Sequence, residues 1–234
     1  MKNTSMEGRI ILVTGATGAL GSVAAKACAE AGATVVLLAR NISRLEKLYD
    51  EIVASGGKTP AIYPLDLAGA NEQDYADLAA VLSKELGGLN GLMHCAAELG
   101  QLMPLSEIDS TRWQRLLQVN LTGPFMLTRA VTELLIESGD ASVVFVGDSG
   151  VGDGKAFWGA YGVAKLGLAG YAHILNEERQ SFGLRAEVFV PGPMRTPIRL
   201  RAYPGELPNS LPAPALHAES ILRLLGSHSV THTH

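Results

Sequence analysis

The sequence predicts an α/β fold in which helices cover both faces of a parallel sheet, and two observations indicate it. Apolar runs such as RIILVT (9–14) and ATVVLLA (33–39) are nearly continuous, which is typical of strands that are buried on both faces. These runs alternate with longer stretches of helical spacing, such as 43–55 and 70–86. Because strands and helices alternate, the predicted architecture is a doubly wound parallel sheet.

Six strands and six helices are predicted along the chain. The strands lie at 9–14, 33–39, 60–66, 90–97, 141–147 and 184–190. The helices lie at 24–33, 43–55, 70–86, 110–138, 160–182 and 213–225, with Ser43 as an N-cap and Pro124 as a kink or local break. The Pro-rich segment 194–212 is expected to form a lid over the carboxyl edge of the sheet.

The composition fits a single domain and excludes several classes of protein. The 234 residues are 47% hydrophobic and 18% charged, and the net charge of −4 argues against a nucleic-acid-binding surface. No apolar run reaches the roughly 18 residues of a membrane helix, and the N-terminus lacks the apolar core of a secretory signal. With only Cys28 and Cys95, a cytoplasmic protein is expected. The tail 226–234 is expected to be irregular and to bind no metal.

A glycine loop, VTGATGALG (13–21), directly follows the first strand and opens a helix. Its glycines let the backbone turn tightly and let a pyrophosphate approach the free N–H groups of the helix N-terminus. This context predicts a Rossmann-type fold that binds a dinucleotide. The predicted contacts are Gly15, Thr17, Gly18, Leu20 and Gly21.

The residues after the second and third strands predict which dinucleotide is bound. An NAD site places a carboxylate after the second strand, but none occurs at 39–41. Arg40 stands there instead, followed by Asn41, and a guanidinium suits a 2′-phosphate. NADP(H) is therefore predicted over NAD(H). Asp66 and Leu67, at the end of the third strand, are candidates for the adenine contact.

A tyrosine and a lysine, Tyr161 and Lys165, lie four residues apart on a predicted helix and so share one face. A phenol has a pKa of about 10 and is a weak acid–base catalyst at neutral pH. A nearby ammonium would lower that pKa. Such a pair can move a proton to or from a carbonyl oxygen while a cofactor transfers hydride.

These motifs, taken together, resemble those of the short-chain dehydrogenase/reductase family. They lie in the family order across residues 8–198 and are TGATGALG (14–21), Asp66-Leu67, HCAA (94–97), QVNLTG (118–123), AYGVAK (160–165) and PGPMRT (191–196). Within the family, LNGLMHCAAELG and FWGAYGVAK are most similar to the YciK-type bacterial oxidoreductases.

The resemblance implies a role for each matching residue. Tyr161 would be the general acid/base and a further cofactor contact, and Lys165 would lower its pKa and hold the nicotinamide ribose. Asn120 would support a water that links Lys165 to solvent. The remaining cofactor contacts would be Cys95, Ala96 and Ala97 after the fourth strand and Pro191, Gly192 and Thr196 after the sixth.

The chain departs from the family pattern in three places. Glycine stands at 18, whereas shorter members carry it at the position of Ala19. HCAA replaces NNAG, so that Cys95 stands for an asparagine; a buried small residue is favoured there over a reactive thiol. The position thirteen residues before the tyrosine, where the family has a catalytic serine, is Asp148, and Ser149 comes one residue late.

The Asp148–Ser149 doublet leaves two interpretations open. An ionised aspartate can only accept a hydrogen bond and would repel a developing alkoxide, whereas a protonated one could donate. Pteridine reductases resemble this arrangement, with an aspartate at the serine position. Alternatively, the flanking glycines Gly147 and Gly150 let the backbone shift so that Ser149 takes the role.

Three functions are therefore considered. The leading one is an NADP(H)-dependent oxidoreductase that interconverts a mainly apolar carbonyl and its alcohol. The second is a reductase of a C=N bond in a pterin- or imine-like substrate, through Asp148. The third is a cofactor-binding sensor or scaffold with weak catalysis.

The expected assembly is a homodimer through the helices 110–138 and 160–182, or else a homotetramer. The family usually ends on a seventh strand, which here would begin close to His234. Without that strand the tetramer contacts would be weakened.

Overall fold

The computed structural model describes residues 5–227, and these contain one parallel sheet. Its strands are β1 (Ile10–Thr14), β2 (Thr34–Ala39), β3 (Ala61–Pro64), β4 (Gly91–His94), β5 (Ala141–Val146) and β6 (Leu184–Phe189). They lie in the order β3-β2-β1-β4-β5-β6, and every neighbouring pair is parallel. The predicted doubly wound parallel sheet is confirmed. A seventh strand was expected near His234, which lies outside the described residues.

Eight α-helices connect or follow these strands within residues 5–227. They are α1 (Ala19–Glu30), α2 (Ile42–Ala54), α3 (Glu72–Val81), α4 (Ser110–Leu117), α5 (Gly123–Glu137), α6 (Gly159–Arg179), α7 (Pro197–Ala202) and α8 (Ala218–Leu225). No helix in this part of the chain is both long enough and apolar enough to cross a bilayer.

Each face of the sheet carries its own apolar core, which explains why the strands are nearly continuous apolar runs. Ile11 and Val13 of β1 pack on one face with residues of α1, α2 and α8. Leu12, between them, packs on the other face with residues of α3, α5 and α6. Successive side chains of a strand point to opposite faces, so burial of both faces requires every position to be apolar.

The predicted helix 110–138 is interrupted, but not at Pro124 itself. α4 ends at Leu117, π-helical turns span Gln118–Thr122, and Pro124 lies in the first turn of α5. Proline lacks an N–H and its ring crowds the preceding turn, so the irregularity falls on the residues before it.

Several other predicted boundaries were wrong. α1 begins at Ala19, and Asn41 rather than Ser43 caps α2, because its Oδ1 accepts the Arg44 N–H at 2.9 Å. β3 ends at Pro64, before Asp66. The last predicted helix divides into a 3₁₀ turn at Pro214–His217 and α8.

The proposed lid segment, 194–212, is not irregular throughout. It contains α7 and a short 3₁₀ turn at Pro208–Ser210. Arg199 of α7 forms an ion pair with Glu206 and lies over the ring of Tyr203 at 3.7 Å from the centroid. Ile198 and Tyr203 pack against the apolar cluster that includes Tyr161 and Trp158, so this segment covers that end of the cleft.

Candidate active site

A cleft of about 720 Å³ runs along the carboxyl edge of the sheet. The strand order reverses between β1 and β4, and loops on either side of such a switch point leave a crevice. The loops after all six strands contribute to it. Sixteen of the predicted cofactor contacts line the cleft, namely Gly15, Thr17, Gly18, Leu20, Gly21, Arg40, Asn41, Asp66, Leu67, Cys95, Ala96, Ala97, Lys165, Pro191, Gly192 and Thr196.

The glycine loop needs its glycines for steric reasons. Gly15 has φ +61°, and a Cβ there would lie 2.6 Å from the Ala96 backbone. A Cβ on Gly21 would collide with the Gly15 carbonyl oxygen. Gly18 is the N-cap of α1 and offers no capping side chain, so the first N–H groups of this helix have no side-chain acceptor. The loop therefore forms an anion cradle whose backbone a phosphate can approach closely.

The β2 end of the cleft is cationic. Arg40 and Arg44 both line it, and no carboxylate lines it between residues 38 and 44. Arg44 was not predicted from the sequence. It lies one helical turn after the Arg40–Asn41 pair, at the start of α2, and this spacing is the signal that could have identified it.

At the opposite end of the cleft, Tyr161 and Asp148 are in direct contact. The Tyr161 hydroxyl donates a 2.7 Å hydrogen bond to Asp148 Oδ2, while Asp148 Oδ1 accepts the Gly150 N–H at 2.7 Å. Asp148 and Ser149 both line the cleft, and Ser149 is exposed. Tyr161 is only 2% exposed, and its hydroxyl contacts the cleft-lining Asp148.

The expectation that an ammonium lowers the pKa of Tyr161 does not hold in this arrangement. Burial raises that pKa, and the charge of Asp148 and its hydrogen bond raise it further. The Lys165 Nζ lies 5.6 Å from the Tyr161 ring centroid, and it donates instead to the Val146 carbonyl at 2.7 Å. The tyrosine is therefore a neutral phenol that donates its hydrogen bond to Asp148.

The Lys165 ammonium is buried at the floor of the cleft. Burial lowers its pKa to about 8, and the nearby Asp148 carboxylate partly opposes this change. The side chain reaches the carboxyl end of β5, where it donates to the Val146 carbonyl, its one hydrogen bond within residues 5–227. Its remaining donors can serve a ligand in the cleft.

Asn120 lies in the π-helical turns and fastens the loop after β4. Its Oδ1 accepts the Glu98 N–H at 3.0 Å, and its Nδ2 donates to the Glu98 and Leu116 carbonyls at 2.8 Å. Both amide hydrogens are thus used by the backbone. A role of Asn120 in supporting a water beside Lys165 stays a prediction.

The HCAA stretch begins with the buried His94 at the end of β4 and continues into Cys95, Ala96 and Ala97, which are partly exposed and line the cleft. His94 stacks on Phe145 with the ring centroids 4.9 Å apart, and its Nε2 is 2.9 Å from Thr128 Oγ1. Burial lowers the pKa of His94 to about 3, and the charge of Lys165 adds to this. Burial also raises the pKa of the Cys95 thiol to about 12, so Cys95 is a neutral thiol and not a nucleophile.

Comparison with known proteins identifies the family. The family model described as short chain dehydrogenase matches residues 9–206. The uncharacterized oxidoreductase YciK of Escherichia coli K12 is 37% identical over 228 residues, which cover 97% of this chain and 90% of that protein. The chain belongs to the short-chain dehydrogenases and is an NAD(P)-dependent oxidoreductase of that family.

Solved structures place the chain more narrowly. A Shigella flexneri short-chain dehydrogenase solved with NADP has a TM-score of 0.92 and 37% identity, with 97% of this chain and 94% of that one covered. An Escherichia coli CFT073 structure with NADPH has a TM-score of 0.92 and 38% identity, again with 97% and 94% covered. Together with the likeness to YciK, they support membership of the YciK-like branch.

Proposed function

We propose that this protein is an NADP(H)-dependent oxidoreductase that interconverts a carbonyl and its alcohol, with Tyr161 as the acid/base. The observation that carries the proposal is the single cleft that joins the anion cradle of the glycine loop to the Asp148–Lys165 end. One extended ligand can therefore place its phosphates at the N-terminus of α1 and its reactive end beside Asp148, Tyr161 and Lys165.

The glycine loop fits a pyrophosphate, because its glycines carry no side chains that would keep the phosphates away from the backbone N–H groups. Pro191, Gly192 and Thr196 would hold the nicotinamide end. When bound, the cofactor would supply or accept the hydride.

The preference for NADP(H) is supported by Arg40 and Arg44, which line the β2 end of the cleft without a carboxylate between them. A guanidinium binds a 2′-phosphate in a charge-assisted manner, whereas a ribose diol gains little from it. Arg40→Ala and Arg44→Ala should each weaken NADPH binding about tenfold and leave NADH binding unchanged. Lys47→Ala is the matched control, because Lys47 is on α2 but outside the cleft. Equal losses for both cofactors would contradict the assignment.

In the direction of reduction, Tyr161 would give its proton to the substrate oxygen. Its raised pKa means that the proton is present at neutral pH. Because the Tyr161 hydroxyl donates to Asp148, the substrate oxygen would have to replace Asp148 as the acceptor of that hydrogen bond. Lys165, with its free donors, would hold the ribose and stabilise the phenolate that remains.

The test is to measure turnover with a panel of ketones and aldehydes, using the loss of NADPH absorbance as the readout. Tyr161→Phe should lose turnover by orders of magnitude while it keeps its NADPH affinity. A Tyr161→Phe protein with undiminished turnover would contradict the mechanism. Turnover in the wild type together with its loss in Tyr161→Phe would also exclude the sensor interpretation.

Either Asp148 or Ser149 would complete the proton-transfer group. Asp148 makes the observed contact with Tyr161, and Ser149 is exposed in the cleft wall where a substrate oxygen could reach it. Kinetics of Asp148→Ala and Ser149→Ala separate them, because the participant should lose orders of magnitude in turnover and the other should not.

A second candidate function is reduction of a C=N bond, and the Tyr161–Asp148 hydrogen bond favours it. The two groups form a path along which a proton could pass from the phenol to a cleft-lining carboxyl and then to a ring nitrogen. A substrate panel with both imine-like rings and carbonyls decides between the candidates. Activity with carbonyls alone would exclude C=N reduction.

An apolar substrate body is supported by the walls of the reactive end, which include Leu99, Trp158, Met194 and Ile198. Met103 and Phe157, which are near this end in sequence, do not line the cleft, and Phe157 is 58% exposed.

A homodimer is also proposed. Apolar side chains are exposed on α5 and α6, namely Phe125, Val163, Leu166 and Ile174. Burying such a patch between two copies would remove it from water. A monomeric mass in light scattering at micromolar concentration would contradict this.

A cytoplasmic location is also proposed, supported by the free thiols of Cys28 and Cys95.

A further inference from the structure

An ion pair that the sequence did not predict forms part of the cleft wall. Arg115 donates from Nε and Nη2 to the two carboxylate oxygens of Glu98, at 2.9 Å each. Arg115 lies on α4, one helical turn before Val119, which also lines the cleft. Glu98 lies in the loop after β4. This two-point contact holds the plane of the guanidinium in one orientation.

The Arg115–Glu98 pair has little to do for the stability of the fold. The side chains are 46% and 28% exposed, and ion pairs that are this exposed contribute little to the free energy of unfolding. The arrangement is therefore better understood as a preformed surface for a ligand in the cleft.

The position of the pair points to the adenosine half of the cleft. The hydrogen bonds and charge of Glu98 raise the pKa of Arg115, and the charge of Asp66 after β3 adds to this. Gln118 Nε2 donates to the Leu67 carbonyl at 3.2 Å and so ties the helix to the same loop. Lys165, by contrast, reaches the end of β5, beyond β4 in the sheet.

We propose that Arg115, oriented by Glu98, binds the adenine ring by stacking its guanidinium plane on the base. This inference rests on the proposed function. A flat cation is attracted to an aromatic face, and a fixed guanidinium loses little freedom on stacking. Because Glu98 already neutralises Arg115, the 2′-phosphate is left to Arg40 and Arg44.

The stacking role has a distinctive binding signature. Arg115→Ala should weaken NADPH and NADH by the same factor, about two- to fivefold, because both carry adenine. Reduced nicotinamide mononucleotide, which has no adenosine, should bind as it does to wild type. Titration calorimetry measures all three. Arg112→Ala is the matched control, since Arg112 is on the same helix but pairs with Asp109 outside the cleft.

The variant Arg115→Lys distinguishes stacking by the flat guanidinium from the effect of its positive charge. Lysine keeps the charge but has no flat face to stack on the base, so Arg115→Lys should recover at most part of the affinity that Arg115→Ala loses. Wild-type affinity in Arg115→Lys would overturn the proposal. So would a loss confined to NADPH, which would indicate a phosphate contact, or an equal loss for the mononucleotide, which would indicate general damage.

Failure of this inference is distinguishable from failure of the proposed function. If wild type binds no nicotinamide cofactor, the proposed function fails and the stacking role with it. If wild type binds NADPH and Arg115→Ala binds both dinucleotides with unchanged affinity, only the stacking role is overturned.

Discussion

The hydroxyl of Tyr161 donates a 2.7 Å hydrogen bond to the carboxylate of Asp148, thirteen residues earlier in the chain. The contact joins the first turn of α6 to the loop after β5, and Tyr161 is almost fully buried. The contact also keeps Tyr161 protonated, because burial raises the pKa of the tyrosine and the Asp148 carboxylate raises it further.

Replacing Asp148 by asparagine should lower the pKa of Tyr161 relative to wild type. Burial is the larger cause of the raised pKa and stays, but the carboxylate charge is removed. The ¹³Cζ signal of labelled tyrosine, followed against pH, measures this. Tyr171, whose pKa burial raises to about 12 without Asp148, is an internal reference that should not move. An unchanged or higher pKa of Tyr161 in Asp148→Asn would contradict the account.

Lys165 should reduce stability at neutral pH. Its pKa falls from 10.5 to about 8 on folding, so the unfolded chain binds more protons between these values and stability rises with pH there. Below pH 8 the lysine is charged in both states, and the full cost of burying it remains. Lys165→Met should therefore raise the Tm at pH 7 by about 2–4 °C or more.

The difference in Tm between Lys165→Met and wild type should narrow as the pH rises from about 8 toward 10.5. Thermal melts by circular dichroism across this window provide the measurement. A lower Tm for the variant at pH 7 would show that the Val146 hydrogen bond outweighs the burial of the charge.

His94 should contribute to acid sensitivity. Its pKa is lowered from 6.5 to about 3 on folding, so between these values the unfolded chain takes up the proton and stability is lost as the pH falls. His94→Gln should be less stable than wild type at pH 7 by about 1–2 kcal/mol, because the stacking on Phe145 is lost. Its stability should then fall less steeply between pH 6.5 and 4 in urea titrations. If the free energy of unfolding falls equally steeply with pH in both proteins, His94 is not the source of the acid sensitivity.

Gly15→Ala should damage the glycine loop. The added Cβ would meet the Ala96 backbone at 2.6 Å, and the φ of +61° is unfavourable for alanine. A loss of about 2 kcal/mol or more in unfolding free energy, with weaker NADPH binding, is expected. Gly170→Ala on α6 is the control, because a Cβ there meets nothing within 4 Å and should stabilise the helix by about 0.5–1 kcal/mol. Similar effects of the two substitutions would contradict the steric argument.

The fold was predictable because both faces of the sheet are buried. Positions such as Ile11, Leu12 and Val13 must all be apolar, and this leaves an unambiguous pattern in the sequence. Boundaries were less predictable where tertiary contacts decide them. The π-helical turns at Gln118–Thr122, which position Asn120 against Glu98, arise from the neighbouring proline and from packing rather than from local propensity.

The cleft was predictable where a motif defines backbone shape, as at Gly15 and Gly21. It was less so where a long side chain reaches in from a helix, as Arg44 and Arg115 do, because a charged helical residue is usually a solvated one. The acid–base state of Tyr161 was missed for a further reason. Helical spacing brings Lys165 near the tyrosine ring, but only the folded loop shows that Asp148 is closer to its hydroxyl.

The most direct test of the central claim is titration calorimetry of NADPH and NADH into the purified full chain. The account predicts that one NADPH binds per chain, at least about tenfold more tightly than NADH, because the arginines at the β2 end favour a 2′-phosphate. Absence of NADPH binding, or tighter binding of NADH, would contradict it.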